Sequence, residues 1–256
     1  MKLLATGCSG GIGKHILIES EIDFRNFHTR KSLSGLEVQS SGSTLIHLAA
    51  MTSIEQVQED PDESFKVNVS STIDLFRAFA TNRGKRFVFA STGHVYGKTP
   101  EDHLSKESDP LNPLSLYAEQ KILAERGLIQ EAKNSGVELV VLRIFSVFGL
   151  GMKSHFLAGR IERAVKNLEA IPKIYNSDDV RDFSLPQDIA SLVKKSTAIP
   201  LCESLIINLC SGRSLTVRDI VRTNFPQIKD DSFVGGNSQT PRLVGDPELK
   251  NYLLNS

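Results

Sequence analysis

The chain has 256 residues with 30 basic and 30 acidic side chains, so its formal net charge is zero and no basic region marks a nucleic-acid-binding protein. Its 40% of hydrophobic residues can fill a core, but no apolar run approaches the roughly 18 residues of a membrane-spanning helix. The cysteines, Cys8, Cys202 and Cys210, lack the spacing of a metal site or a disulfide framework, so we expect no metal and a reducing, cytoplasmic setting.

Short apolar runs alternate with helical patterns from the N-terminus onward. A strand pattern in KLLATG is followed by a glycine-opened helical pattern in GIGKHILIES, a short strand pattern in NFHTR and a buried strand pattern in STLIHLAA. A long helical pattern then spans residues 60–82, followed by the strand RFVFAST, a helix over residues 116–136 and the strand VELVVLRIF. This alternation predicts an α/β fold with a doubly wound parallel sheet of the Rossmann type.

The alternation becomes less regular after Gly149. Helical patterns remain near residues 154–168, 186–197 and 216–225, and a strand pattern lies at residues 205–209. The last segment contains prolines and a glycine that are typical of a small irregular lobe. We therefore predict a dinucleotide-binding domain in residues 1–150 and about 182–209, and a small substrate-binding lobe in residues 151–181 and 210–256.

The segment TGCSGGIG places Gly7, Gly10 and Gly13 between the first strand and the first predicted helix. Glycines at such a turn let the backbone approach a pyrophosphate, and a helix N-terminus supplies N–H donors and a partial positive charge. In the first strand–helix unit of an alternating chain, this pattern predicts a dinucleotide site, with a plain glycine-rich turn as the alternative. The other cofactor contacts predicted in this turn are Ser9, Gly11 and Ile12.

No acidic residue ends the predicted second strand, where an NAD enzyme usually places an Asp or Glu that binds the ribose hydroxyls. The segment HTRK supplies Arg30 and Lys31 there instead. A guanidinium can bind a 2′-phosphate through two parallel hydrogen bonds, so these residues favour NADP, with NAD as the alternative cofactor. The other interpretation is that both are solvated surface cations.

Two further segments carry side chains suited to acid–base chemistry. FASTGHVYG places Ser91 and Thr92 at the end of a strand, where doubly wound sheets bind ligands and where a hydroxyl can hydrogen-bond a substrate carbonyl. SLYAEQKIL places Tyr117 and Lys121 four residues apart on one helical face. A nearby ammonium lowers the pKa of a phenol, which makes this pair a candidate for proton transfer. The alternatives are an ordinary Ser/Thr turn and ordinary surface residues.

The segments TGCSGGIG, IHLAA, VNVSST, FASTGHVYG, YAEQK and LRIFSVFG occur in the order and spacing of the extended short-chain dehydrogenase/reductases, and RDFSLPQDIA and INLCSG match later elements of that family. Over nearly its whole length, the chain thus resembles the NAD(P)-dependent epimerases and dehydratases, which act largely on nucleotide sugars. The resemblance implies a Rossmann-type domain and an enzyme that binds NAD(P) and a nucleotide-sugar substrate.

The resemblance also implies roles for residues that match its motifs. The glycine turn would hold the pyrophosphate, Thr92 would bind the sugar carbonyl or hydroxyl, and Tyr117 would transfer the proton. Lys121 would bind the nicotinamide ribose and lower the pKa of Tyr117. Further expected cofactor contacts are Leu48, Ala49, Ala50, Asn68, Ala90, Ser91, Tyr117, Lys121 and Phe145. Candidate substrate contacts, besides Thr92, are His94, Arg181 and Arg242, with ion pairs to Asp182 or Asp246 as the alternative for the arginines.

The residues after Thr92 narrow the expected reaction. Sugar dehydratases of the family follow this Thr with an Asp-Glu pair, whereas this chain has Gly93 and His94. Dehydration is therefore not expected, which leaves reduction of a 4-keto group or 4-epimerisation. Because NADPH suits net reduction, we favour a 4-keto reductase, with a 4-epimerase as the alternative. A non-catalytic NADP-binding sensor or scaffold is the alternative of another class.

One segment departs from the family pattern. The residues between Arg30 and Thr44 are too few for the helix, strand and helix that usually lie there. The acidic residue that usually faces the adenine is also replaced by Ser40 or Ser41. The adenine contacts therefore cannot be transferred from the family.

A homodimer is the expected assembly. The helical pattern from about Asp62 to Ala80 has two apolar stripes, although a surface helix needs only one. One stripe contains Phe65, Val69, Ile73, Phe76 and Ala80, and the other contains Val67, Leu75, Ala78 and Phe79. Many relatives pair this helix and the helix of Tyr117 into a four-helix bundle across a two-fold axis. The alternative is that the second stripe is covered within one chain.

Overall fold

Among the residues that the structure describes, the main sheet has six parallel strands. The computed structural model describes residues 2–16, 20–21, 41–201, 204–236 and 238–254. The strands of this sheet are β1 (Leu3–Thr6), β2 (Ser20–Glu21), β3 (Thr44–His47), β4 (Arg86–Thr92), β5 (Glu138–Ile144) and β9 (Leu205–Leu209). They lie side by side in the order β2-β1-β3-β4-β5-β9. The strand order reverses between β1 and β3, so the prediction of a doubly wound parallel sheet is confirmed.

Helices cover both faces of this sheet, which explains why its central strands are apolar nearly throughout. On one face, α3 (Ser71–Thr81) and α4 (Leu116–Ser135) form a core with β1, β3, β4 and β5. On the other face, α6 (Pro186–Ser196) packs its apolar side against the same strands. The remaining helices along the chain are α1 (Ile54–Glu59), α2 (Pro61–Phe65), α5 (Leu157–Lys166), α7 (Val217–Asn224) and α8 (Glu248–Leu254).

Local sequence signals set the ends of the helix that carries Tyr117. Ser115 caps the N-terminus of α4, because its hydroxyl accepts a hydrogen bond of 3.3 Å from the amide of Ala118. The helix ends at Gly136, which has a φ of +72° and therefore adopts the left-handed conformation that favours glycine. These signals place Tyr117 in the first turn of a helix of 20 residues, close to the sheet edge.

The predicted helix after the glycine turn is wrong. Gly13–His15 form a short 3₁₀ turn, and Ser20 already pairs with Leu4 of β1. Because Ser20 already belongs to β2, no length remains for a helix of several turns after the glycine turn. A short turn also exposes fewer amide donors than the helix N-terminus that we expected.

The C-terminal part forms a small lobe around its own apolar cluster. The lobe contains α5, α7 and a three-stranded sheet in the order β10-β7-β11, with β10 (Leu215–Thr216), β7 (Val180–Arg181) and β11 (Arg242–Leu243). A pair of short strands, β6 (Ser146–Val147) and β8 (Phe183–Ser184), connects the main sheet to this lobe. Phe148, Ile161 and Phe225 lie in the cluster. The domain division remains a prediction.

The second apolar stripe of the long helix is largely covered within one chain: Leu75 and Phe79 are buried, and Val67 and Ala78 are partly buried against the same core. Leu75 and Phe79 are 0% exposed and pack with Phe87 and Leu128 between the sheet and α4. Phe76 of the other stripe lies in the same core. A second chain is therefore not required to cover these side chains.

Candidate active site

A cavity of about 1150 Å³ lies at the carboxyl ends of β1, β3, β4 and β5, between the main sheet and the small lobe. This is the position at which doubly wound sheets bind ligands. Most of the predicted site residues line this cavity: Gly7, Ser9, Gly10, Gly11, Ile12, Gly13, Leu48, Ala49, Ala50, Ala90, Ser91, Thr92, His94, Tyr117, Lys121, Phe145 and Arg181.

The glycine turn leaves no room for side chains at two of its positions. A Cβ atom on Gly7 would lie 2.7 Å from the backbone nitrogen of Ala49, and its φ of +76° independently favours glycine. A Cβ atom on Gly13 would lie 2.3 Å from the carbonyl oxygen of Gly7. The resulting bare backbone forms a concave wall of the cavity, which fits the close approach of a pyrophosphate.

A buried histidine fixes the ends of β1 and β3 beside this wall. His47 Nδ1 lies 2.7 Å from the hydroxyl of Thr6, and His47 Nε2 lies 3.0 Å from the hydroxyl of Thr72. The Thr6 hydroxyl also accepts a hydrogen bond of 3.3 Å from the amide of Ala49. Burial, and secondarily the charge of Lys121, lower the pKa of His47 to about 3, so this imidazole is neutral at physiological pH.

Asn68 lies behind the cavity wall and does not line the cavity. It belongs to a π-helical turn, Lys66–Ser70, and is 0% exposed. Its side chain accepts a hydrogen bond of 2.9 Å from the amide of Met51 and donates one of 3.0 Å to the carbonyl of the same residue. Asn68 also donates to Gln120 at 2.9 Å, so it fastens the loop after β3 to α4.

The two hydroxyls at the end of β4 have different partners. Ser91 donates to the carboxylate of Glu125, a buried residue of α4. The Thr92 oxygen instead accepts a hydrogen bond of 3.2 Å from the amide of His94 and thereby caps the turn Gly93–Tyr96. Accepting this bond leaves the Thr92 proton for another acceptor, so Thr92 can donate to a substrate oxygen in the cavity.

Tyr117 and Lys121 lie on one face of α4, as their spacing predicts. The Lys121 Nζ lies 5.9 Å from the centre of the Tyr117 ring, and it donates a hydrogen bond of 2.9 Å to the carbonyl oxygen of Ala90. Burial lowers the pKa of Lys121 to about 8, an effect that the charge of Glu125 opposes. Burial also raises the pKa of Tyr117 well above its ordinary value. Contrary to the expected effect of Lys121, the phenol is therefore protonated at neutral pH.

The candidate substrate contacts separate into two groups. His94 and Arg181 line the cavity, whereas Arg242 does not. Arg181 pairs with the buried carboxylate of Asp179 at 2.8 Å. Burial, together with the charge of Arg181, lowers the pKa of His94 to about 4, so His94 is neutral near pH 7. Arg242 instead donates to the carbonyl oxygen of Glu101 at 3.3 Å.

Two of the predicted cofactor residues, Arg30 and Lys31, lie outside the described residues, as does Ser40. The cavity also has lining residues that sequence reasoning missed. Ser146 follows the last central strand in the quoted motif LRIFSVFG, which was a usable signal. The other missed residues include Lys153, His155 and Phe156, which no motif marked.

Two structural findings concern the described part of the chain alone. None of its helices combines the length and the apolar character needed to cross a membrane. Within the same residues, no cluster of three or more His, Cys, Asp or Glu side chains could hold a metal ion.

Comparison with known proteins identifies the family. The model of the NAD dependent epimerase/dehydratase family matches residues 21–198, which is more than half of the 256 residues. The chain belongs to this family. Two solved structures of the same fold contain NAD and NADPH, respectively.

Two curated proteins of known activity resemble the chain over most of its length. GDP-6-deoxy-D-talose 4-dehydrogenase of Aggregatibacter actinomycetemcomitans is 29% identical, with coverage of 100% of this chain and 92% of that protein. GDP-6-deoxy-D-mannose reductase of Pseudomonas aeruginosa is 28% identical, with coverage of 86% and 78%. Both are oxidoreductases of nucleotide sugars by name.

A solved structure shows the same likeness in three dimensions. UDP-glucose 4-epimerase of Thermus thermophilus, in complex with NAD, has a TM-score of 0.81 and 26% identity. The superposition covers 98% of this chain and 93% of the epimerase. As a member of the epimerase/dehydratase family, the chain is an NAD(P)-dependent nucleotide-sugar reductase or epimerase.

Proposed function

We propose that the protein reduces the 4-keto group of a nucleotide sugar, with NADPH as its cofactor. The observation that carries this proposal is the convergence of three groups on one cavity: the Thr92 hydroxyl, the Tyr117 phenol and the Lys121 ammonium. The residues of the glycine turn would hold the pyrophosphate, and Lys121 would bind the nicotinamide ribose. When bound, the reduced nicotinamide supplies the hydride.

The protein's own residues would position the carbonyl oxygen and supply its proton. Thr92 would donate a hydrogen bond to the carbonyl oxygen of the sugar and so fix its position. Because burial keeps Tyr117 protonated, its phenol can donate a proton to the oxygen as negative charge develops there. Reduction needs such a donor at the outset, whereas oxidation of a hydroxyl needs a base. A protonated Tyr117 can fill this donor role.

The residues after Thr92 do not fit a dehydration reaction. Loss of water from a sugar requires an acid that protonates the leaving hydroxyl. Gly93 has no side chain, and His94 is a neutral imidazole near pH 7 because its pKa is lowered to about 4. Neither position offers a carboxyl group for this step.

The two curated relatives suggest the substrate class. Their names describe a dehydrogenase and a reductase of GDP-linked 6-deoxy sugars. We therefore propose a GDP-linked 6-deoxy-4-keto sugar as the substrate. Arg181, which lines the cavity, is the proposed contact of the diphosphate because a guanidinium matches phosphate oxygens in geometry and charge.

A 4-epimerase is the second candidate, because the chain also resembles the Thermus thermophilus UDP-glucose 4-epimerase. Such an enzyme would oxidise C4 of the sugar with NAD⁺ and return the same hydride, so turnover would consume no cofactor. A third outcome is NADPH binding without any turnover, as expected for a sensor or scaffold.

The test is incubation of the purified protein with NADPH and a panel of 4-keto sugars linked to GDP or UDP. We expect loss of NADPH absorbance with the GDP-linked 6-deoxy-4-keto sugar and formation of the 4-hydroxy product. In a parallel incubation with NAD⁺, interconversion of UDP-glucose and UDP-galactose without net formation of NADH would show an epimerase instead. Failure of every sugar to react would leave the non-catalytic function as the better explanation.

A further inference from the structure

Glu125 is a carboxylate buried behind the cavity wall. It lies one helical turn after Lys121 on α4 and is 2% exposed. It accepts hydrogen bonds from the Ser91 hydroxyl on β4 and from Arg143 on β5, whose Nη2 lies 2.8 Å from the carboxylate. Arg143 is itself 3% exposed. The Glu125–Arg143 pair therefore contacts the strand end and the helix that carry the proposed catalytic groups.

The pair also reaches the turn that carries His94. Arg143 Nη1 donates a hydrogen bond of 2.8 Å to the phenol oxygen of Tyr96, the last residue of that turn. Tyr96 in turn donates to the side-chain oxygen of Asn208 at 2.7 Å. This continuous set of buried hydrogen bonds joins β4, α4, β5, β9 and the Gly93–Tyr96 turn.

Stability alone is a weak reason for such a pair. The cost of removing two charges from water often cancels the attraction between them, and apolar side chains of similar volume stabilise a core as well or better. Apart from the carbonyl oxygen of Glu107, the partners of this buried pair belong to the elements around one cavity, which fits a role in positioning. The buried polar groups are mutually hydrogen-bonded, as a network with one geometry requires.

Glu125 lies one helical turn from Lys121, and its charge favours the ammonium form of that side chain. The charged and titratable groups packed around this ammonium are Tyr117 and Glu125 on α4, His47 on β3 and, beyond Glu125, Arg143 on β5. Tyr117 and His47 are neutral at physiological pH, and burial favours a neutral Lys121. Glu125 supplies the opposing charge that favours the ammonium.

We propose that Glu125, held by Arg143, is a positioning residue for the active site: it keeps Lys121 in its ammonium form and, through Ser91, fixes the strand end that carries Thr92. This inference rests on the proposed function, since it concerns groups that we assign to cofactor and substrate. The protonation of Lys121 is a property of the protein without ligands, so it can be measured separately from turnover.

The experiment is a pH titration of Lys121 by NMR in the full chain, with isotope-labelled lysine and with Lys121→Arg for assignment. Glu125→Gln keeps the side-chain size but removes the charge, so the Lys121 midpoint should fall by about 1 pH unit or more. Glu125→Asp keeps the charge and should largely preserve the midpoint. The matched control is Glu131→Gln on the same helix, whose carboxylate pairs with Arg77 at 2.7 Å and should leave the Lys121 midpoint unchanged.

Glu125→Gln leaves Arg143 charged and unpaired in the core, which can prevent folding. A second variant removes this problem. The double variant Glu125→Gln, Arg143→Gln removes both charges, and the Lys121 midpoint should again fall because the nearer carboxylate is lost. A midpoint equal to that of the wild type in either folded variant would overturn the proposal. Absence of turnover with every nucleotide sugar would instead count against the proposed function and would not change this titration.

Discussion

The ammonium of Lys121 donates a hydrogen bond of 2.9 Å to the carbonyl oxygen of Ala90, two residues before Thr92. The bond joins the helix that carries Tyr117 to the strand end that carries the substrate-binding hydroxyl. Lys121 is 3% exposed, so water does not compete strongly for this contact. The relative positions of the Tyr117 phenol and the Thr92 hydroxyl thus depend on this hydrogen bond of Lys121.

Tyr117→Phe should reduce kcat by about 10²- to 10⁴-fold, the usual contribution of a positioned acid. The affinity for NADPH should stay close to that of the wild type, because the phenol hydroxyl is needed to donate the proton and not to hold the dinucleotide. Steady-state kinetics and NADPH fluorescence titration measure these two quantities.

Tyr175→Phe is the matched control for this change, because Tyr175 is 67% exposed and does not line the cavity. It should leave both quantities unchanged. Lys121→Ala should lower kcat and NADPH affinity together, because Lys121 is proposed to bind the nicotinamide ribose and also holds the strand end that carries Thr92. Wild-type turnover in Tyr117→Phe would rule out the proposed mechanism.

The main features of this site could be predicted because they are local in sequence. The glycine turn follows directly after a buried strand, and Tyr117 and Lys121 are related by one helical turn, so short segments determine both arrangements. Parallel strands bring the ends of β1 and β4 to one sheet edge, which places the glycine turn and Thr92 in the same cavity.

Features that depend on distant contacts could not be predicted in this way. Asn68 is directed at Met51 by a π-helical turn, and no residue pattern signals that turn. Arg242 points to the carbonyl of Glu101 because β11 pairs with β7, an arrangement of the small lobe that periodicity does not reveal. The pairing of Glu125 with Arg143 joins a helix and a strand, so neither residue stood out in the sequence.

NADPH should bind more tightly than NADH if Arg30 and Lys31 meet the 2′-phosphate. Arg30→Ala should then narrow the difference in binding free energy by about 1–3 kcal/mol, the scale of a lost hydrogen bond to a charged group. Fluorescence titration of the variant and the wild type with both cofactors measures this difference. A wild-type preference for NADH would reject the cofactor assignment and weaken the case for a reductase.

Arg213→Ala provides the control for this substitution. Arg213 is an exposed arginine outside the cavity, so its removal changes the net charge equally without touching the cofactor. The ratio of the two affinities should match that of the wild type. If Arg213→Ala narrows the difference in binding free energy between NADPH and NADH as much as Arg30→Ala does, the preference for NADPH arises from overall charge.

Acidification should destabilise the protein through His47. Its pKa is about 3 in the folded state and 6.5 in the unfolded state, so the unfolded state binds the extra proton first as the pH falls. This contribution to the free energy of unfolding is present above pH 6.5 and declines as the pH falls toward 3. By linkage, it should lower the free energy of unfolding by about 2 kcal/mol at about pH 5.

Urea unfolding at about pH 7 and about pH 5 tests this expectation. His47→Gln retains a hydrogen-bonding side chain between Thr6 and Thr72 but does not titrate. Its free energy of unfolding should therefore fall less between about pH 7 and about pH 5 than that of the wild type. The exposed residue His15 gives the control, His15→Gln, which should behave like the wild type. Equal losses in His47→Gln and the wild type would contradict the assignment.

We propose a homodimer whose contact includes Phe65 at the end of α2 and Leu123 on α4. Each is 44% exposed, and the segment after Phe65 packs against α4. Phe79 of the second apolar stripe is unsuitable for a test of the contact, because it is 0% exposed and Phe79→Glu would place a charge in the core. Phe65→Glu and Leu123→Glu should break the contact without such damage.

Light scattering at micromolar concentration decides the oligomeric state. The wild type should have twice the chain mass of 28.2 kDa, and the double variant Phe65→Glu, Leu123→Glu should have the single mass. A two-fold contact presents the same patch from both chains, so each substitution acts twice and the loss should be complete. Leu168→Glu, at a residue 94% exposed in the small lobe, is the control and should remain dimeric. A wild-type mass of 28.2 kDa would reject the dimer.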